Sequence, residues 1–332
     1  MPIYEEGILG FIAACVLMTI LYSARAARYD LLGSIGRLAK QVTCWDLDCD
    51  QRLHELMCYI YTTVDYVALA WIGDHPADLT AHLYADADFA GCPYTLRSTS
   101  GEHHSLEGPN SRFPWAAASS GQHATAQSTP EAELAALNDA MRGRGESALD
   151  IWYILLKPYH RSKPVLGNIP RFNPWVNPYT DGEHWYMVVH LHEDNSPAIS
   201  ILRSGMNKTM KTLERGFGID IGWNFGRIES GAYVLIHTRS SHQCADIYTK
   251  GMNDSVAWRR LRRLINIFSK DEVANGTLNP DIDSYPPRDL VDGTPREEDV
   301  NPHYEYIMSG ESPLTKDLRL SLIHISEPTR RI

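Results

Sequence analysis

Apolar and polar positions fall into three patterns along the chain. Residues 7–22 (GILGFIAACVLMTILY) form an uncharged apolar run of 16 residues. Glu5 and Glu6 stand ahead of it, where a signal peptide carries positive charge. The run is also shorter than the roughly 20 residues that span a bilayer core. It predicts a buried helix, with a membrane anchor as the competing reading. Farther on, RLHELMCYIYTTVDYVALAW places apolar residues at helical spacing, so residues 1–80 read as a helical region.

From 81 to 269 the pattern changes to alternating strand-like and helix-like segments. LYADADFAG reads as a strand running into a turn, and EHHSL and the stretch around Trp115 as two more. STPEAELAALNDAMRG opens like a helix: Ser128 or Thr129 can cap it, Pro130 suits its first turn and Glu131 favours the positive end of its dipole. YMVVHLHEDN and GAYVLIHT are further strands, while QCADIYTKGM and VAWRRLRRLINIF read as helical. The order of elements predicts an α/β fold, a mixed sheet flanked by helices. The Pro- and Asn-rich stretch near 157–185 is a long insertion. After 270, Pro, Gly, Asp and Glu dominate and apolar residues are too sparse for a core, so 270–332 is predicted to be a disordered acidic tail.

Charge changes this picture little. The net charge is −10, which argues against a uniformly basic nucleic-acid binder. About −7 of it lies after Lys270, however, so a nucleic-acid substrate for the rest of the chain is not excluded. The six cysteines show no CxxC pair and no histidine partner at zinc spacing, so they read as reduced thiols.

Four carboxylates carry the candidate chemistry. Asp86 lies in the first strand of the middle region, Glu133 on the helix after the third, Asp194 at the end of the fourth and Asp246 at the start of a late helix. Such positions can converge at one sheet edge. Converged carboxylates repel, and divalent cations with oxygen ligands relieve that repulsion. Taken singly, each acid has a plainer account as a turn, helix-face or capping residue, with Asp194–Asn195 an Asx turn. Asp88 rivals Asp86, since strand alternation puts both on one face. His190 and His192 read as core or surface histidines within reach of such a site, and His103–His104 as a strand surface pair. Trp258 with Arg259, Arg260, Arg262 and Arg263 reads either as a grip on a nucleic-acid backbone or as a solvated amphipathic helix packed by Leu261, Leu264 and Ile265.

The phrases DADFAG (86–91), STSG (98–101), STPEAEL (128–134), EDNSPAI (193–199) and ADIYTK (245–250), in this order, resemble the ribonuclease H domain of copia-type LTR retrotransposon Gag-Pol polyproteins. Upstream, ILYSARAARYDLLGSIGRLAKQ and HELMCYIYTT resemble the segment connecting reverse transcriptase to that domain. The resemblance covers about residues 8–268. It implies a ribonuclease H-like mixed five-stranded sheet flanked by helices over 81–269, preceded by a helical connection segment over 1–80. It further implies hydrolysis of the RNA strand of RNA–DNA hybrids with two Mg²⁺ ions, or Mn²⁺, held by Asp86, Glu133, Asp194 and Asp246.

The expected partners are the hybrid and the reverse transcriptase portion of the same polyprotein, not a membrane. The expected compartments are cytoplasmic virus-like particles and the nucleus. Ser98, Thr99, Gln122 and Asn195 belong to phrases expected to meet nucleic acid, with Lys208, Lys211 and Arg215 available to phosphates. His242 is the nearest counterpart of a loop histidine that aids product release in related enzymes. Several positions depart from the family pattern: Gly121 replaces a Lys, Leu134 replaces a Tyr, and TMKTLERGFGIDIGWNF replaces a basic segment. These departures carry a second expectation, a catalytically inactive retroelement fragment that binds nucleic acid or protein. No polymerase phrase is present, and 321–332 resembles translated adapter sequence and is set aside as non-native.

Overall fold

A computed structural model describes residues 6–92, 95–160, 187–206, 218–276 and 278. Its centre is β3 (Thr80–Asp88), whose interior positions are all buried, as expected of a strand covered on both faces. β4 (Thr99–Gly108) and β5 (Ser111–Gly121) follow it as an antiparallel meander. β6 (Val189–Glu193) then pairs parallel to β3, and β7 (Tyr233–His237) parallel to β6. Parallel pairing requires crossovers, and helices supply them. α4 (Thr129–Ala140) and α5 (Glu146–His160), joined by a π-helical turn, precede β6. α6 (Ser196–Ser204) and the Ile221–Glu229 helix precede β7.

The result is a mixed sheet flanked by helices. It has six strands, where five were expected, in the order β2 (Trp71–Ile72), β5, β4, β3, β6, β7. The extra strand, β2 (Trp71–Ile72), pairs with Arg112 and Ser111 at the start of β5. Two residues are too short to leave an alternating pattern, and the same holds for β1 (Val67–Ala68) and β8 (Ile267–Phe268), which form a separate antiparallel pair.

Alternation along β3 divides the molecule into two cores. Ala81, Leu83 and Ala85 pack with Leu134, Leu137 and Leu149 on the crossover side. Tyr84 belongs to the opposite cluster, built from α1 (Gly10–Ala27), α2 (Leu32–Ala39), α3 (Leu47–Thr62) and the Ser255–Leu264 helix. Residues 10–62 thus supply a layer of the sheet's own core, in addition to preceding it in sequence. α3 is started by Asp46, whose carboxylate accepts the Cys49 amide at 2.8 Å.

α1 departs from the expected buried helix. Only Ala13, Leu17 and Ala24 are buried, while Phe11 is 85% and Tyr22 79% exposed. At 18 residues and a mean hydropathy of 1.6, this helix is long and apolar enough to cross a membrane.

At the other end, Ser269 and Glu272 form a reciprocal capping box for Lys270–Ala274, so the expected disordered tail is helical at its beginning. Glu272 also binds Arg262 at 2.7 Å and Arg263 at 2.8 Å, and Arg262 is buried. These two guanidiniums therefore serve the fold instead of gripping a backbone. The same helix buries Leu261, Leu264 and Ile265, as its amphipathic pattern predicts. Most of the expected insertion near 157–185 lies outside the described residues.

Candidate metal centre

β3 and β6 are parallel neighbours, so their C-terminal ends share one edge, the place where open α/β sheets gather ligands. Asp86 lies near that end of β3, and Asp194 follows the last residue of β6. Glu133 comes from α4, held in place as its Oε2 accepts the Ala87 amide at 2.8 Å. One carboxylate oxygen from each of Asp86, Glu133 and Asp194 lies within 4.8 Å of the others, a group able to hold a metal ion.

Asp246 opens the Asp246–Thr249 helical turn and joins through a lysine. The Lys250 ammonium donates to Asp246 Oδ1 at 2.7 Å and to Asp86 Oδ1 at 3.3 Å. On its other oxygen, Asp86 accepts a short hydrogen bond from the Thr249 hydroxyl. Of the two rivals in the first phrase, Asp86 is therefore the residue in the cluster. Asp88 instead accepts the Thr99 amide and faces the Lys40 ammonium.

The electrostatics are those of a centre short of positive charge. Burial, then Glu193, Asp86 and Asp194, push the Glu133 carboxyl up to about 11 against the Ala87 hydrogen bond. Burial and Asp86 push Asp246 up to about 8, although Lys250 opposes this. Lys250 is itself drawn down by burial but held above the usual lysine range by Asp86 and Asp246. Glu193 lies well above the carboxylate range through burial first, with Asp194 and Asp86 adding to it. Its Oε1 accepts the Asn195 amide at 3.0 Å, and its fully buried Oε2 has no hydrogen-bond partner. An all-oxygen donor set with an orphaned carboxylate oxygen beside it suits a hard divalent cation.

Glu193, Thr249 and Lys250 were not singled out in sequence. Two signals pointed to Glu193 and Lys250, and none to Thr249. Alternation along Val189, Leu191 and Glu193 puts Glu193 on the buried face of β6, and Lys250 stands at i+4 from Asp246, the spacing of a helical ion pair.

The remaining sequence candidates fall in different places. Ser98, Thr99 and Gln122 are buried, and their polar groups bind the protein: the Ser98 hydroxyl accepts the Ala90 amide, the Thr99 hydroxyl accepts Lys40 at 2.6 Å, and the Gln122 amide donates to Ser100 and to the Ala132 carbonyl. Asn195 caps α6 by accepting the Ala198 amide at 3.0 Å, a helix N-cap where an Asx turn was the plainer expectation, and its own amide donates to Glu193. Lys208, Lys211 and Arg215 lie outside the described residues.

His192 does not turn to the carboxylates. It stacks on Tyr84 at 3.9 Å and bonds His82 at 2.9 Å and Thr238 at 2.8 Å, while the His190 ring meets His82. His103 and His104 are a correction: both are buried, because helical layers cover β4 on its two sides, and burial drives each imidazole down to about 3. His242 is half-buried against Ser241, and burial lowers its pKa.

No family model matches the chain, and neither a curated protein nor a solved structure does so.

Proposed function

We propose that this chain is a ribonuclease H-type hydrolase that cleaves the RNA strand of RNA–DNA hybrids, derived from a copia-type retrotransposon polyprotein and working beside its reverse transcriptase. The observation that carries this reading is the convergence of Asp86, Glu133 and Asp194 within 4.8 Å at the C-terminal edge of two parallel strands. These acids come from separate phrases whose order and wording resemble that family. A mixed sheet flanked by helices is compatible with the ribonuclease H-like fold.

Asp86, Glu133 and Asp194 would hold one cation, and Asp86 with Asp246 a second. Mg²⁺ and Mn²⁺ are the fitting ions for carboxylate oxygens. Two such ions, when bound, supply a nucleophilic water and neutralise charge developing on an in-line phosphodiester. The chain's own contribution is positioning: the Ala87 amide fixes Glu133, the Thr249 hydroxyl fixes Asp86, and the Asn195 amide fixes Glu193. Purified protein should nick a labelled RNA–DNA hybrid only when Mg²⁺ or Mn²⁺ is present, and Asp86→Asn should remove that activity. Cleavage that survives the substitution would overturn the role given to Asp86.

A second reading, a non-catalytic nucleic-acid- or protein-binding fragment, draws support from one observation. Lys250 already bridges Asp86 and Asp246, as in a structural ion pair. It requires that no Mg²⁺-dependent cleavage occur and that hybrid binding be indifferent to Asp86→Asn.

A further inference from the structure

Resting on the metal-centre reading above, we infer that Lys250 is a tethered cation occupying the Asp86–Asp246 half of the centre, which therefore takes one divalent ion readily and a second only when the ammonium swings away. The charge in the cluster is unevenly distributed. On the Glu133 side, Glu133, Asp194 and the orphaned Glu193 carboxylate face no cationic side chain that hydrogen-bonds them among the described residues. On the Asp246 side, one ammonium already reaches both acids, at 2.7 and 3.3 Å.

The two partners differ in freedom. The Asp86 and Asp246 side chains are 1% and 9% exposed, whereas the Lys250 side chain is 40% exposed. A lysine carries its compact charge on a flexible four-carbon stem, so it can leave toward solvent while the buried acids stay. An ammonium and a divalent ion compete for the same Asp86 and Asp246 oxygens, and both cannot sit between them at contact distance without strong repulsion. Lys250 thus sets the order of filling: the Glu133 side first, and the Asp246 side as the regulated step.

The experiment is a Mn²⁺ titration of the full chain followed by electron paramagnetic resonance of free Mn²⁺, with circular dichroism to verify folding. Wild type should bind one ion, with a second at least about tenfold weaker, a gap on the order of 1.4 kcal/mol or more. Lys250→Met should retain the first ion and tighten the second by about tenfold or more. Lys250→Gln serves the same titration if the methionine variant does not fold.

An unchanged second affinity in the variant overturns the inference, as do two equally tight ions in wild type, and both results leave the metal centre standing. Absence of Mn²⁺ binding in every form overturns the metal-centre reading together with this one.

Discussion

The two faces of β3 use one strand in opposite chemistries. Toward the crossover helices it presents Ala81, Leu83, Ala85 and Ala87, which pack in aliphatic clusters. Toward the N-terminal layer it presents Thr80, His82 and Tyr84, whose hydrogen bonds run to His192, Thr238 and Glu107, and then Asp86, which is bound by Thr249 and Lys250. The aliphatic face gains from contact and exclusion of water, and it tolerates error in proportion to the volume lost. The polar face gains little net from each hydrogen bond but loses heavily when one member is removed. The candidate metal centre is where these faces meet, with Asp86 arriving from the polar side and Glu133 from the helix on the aliphatic side. A charged site assembled at such a junction is held by rigid packing on one side and directional bonds on the other.

Substitutions can separate these contributions. The largest expected effect is at the junction itself: Asp86→Asn keeps the shape of the side chain while removing its charge, and hybrid cleavage should fall below detection in a gel assay with circular dichroism unchanged. Retained cleavage would break the link between the junction and chemistry. On the aliphatic face, Leu83→Ala should cost about 2–5 kcal/mol, as for other fully buried leucines, measured by urea unfolding. On the polar face, His192→Phe keeps an aromatic ring against Tyr84 but removes the bonds to His82 and Thr238, and should cost about 1–3 kcal/mol in the same assay. A larger loss at His192 than at Leu83 would reverse the ranking of the faces.

The smallest effect concerns pH. Asp246 is raised from 3.8 to about 8 and Glu133 from 4.5 to about 11, so in the folded metal-free protein both keep protons that the unfolded chain releases. Stability from such raised groups is full below their ordinary values and is lost as pH climbs through the folded ones. His103 and His104, lowered from 6.5 to about 3, act in the opposite sense, but only below about 6.5. Between pH 6.5 and 8 the acids therefore act unopposed by this pair, and the metal-free Tm should fall across that interval. Saturating Mg²⁺ should flatten the slope. A Tm that rises with pH in metal-free protein would show that the carboxylates are not crowded as described.

Legibility in sequence followed the length of each pattern. β3, β4, β5 and α4 run for nine residues or more each, long enough for part of each to be read locally. β1, β2 and β8 have two residues each, and nothing local distinguishes them from loop. Asp86, Glu133 and Asp194 were readable as an ordered set within their phrases, whereas Glu193 was hidden by sitting in an apolar stripe where a carboxylate looks like an exception. Apolarity in 7–22 announced a helix, but which side of it would find a partner depends on α2, just beyond it, and on β5, far along the chain. The burial of His103 and His104 likewise depends on layers that no local window contains.

The pairing of β3 with β6 also sets an order of assembly. His82 and His192 touch although 110 positions separate them, while the β4–β5 hairpin closes over the two residues 109–110. Distant contacts form only after the entropy of closing the intervening chain has been met, so local hairpins lead and parallel pairing follows. The topology predicts that the three-strand meander forms first, carrying Asp86 in a half-built pocket. Asp194 then arrives with β6, and the cation site exists only at the end of folding. Pulse-labelled hydrogen exchange that protects β6 before the β4–β5 hairpin would contradict this order. A folding chain would therefore pass through a stage with its first carboxylate in place and no means of holding a metal.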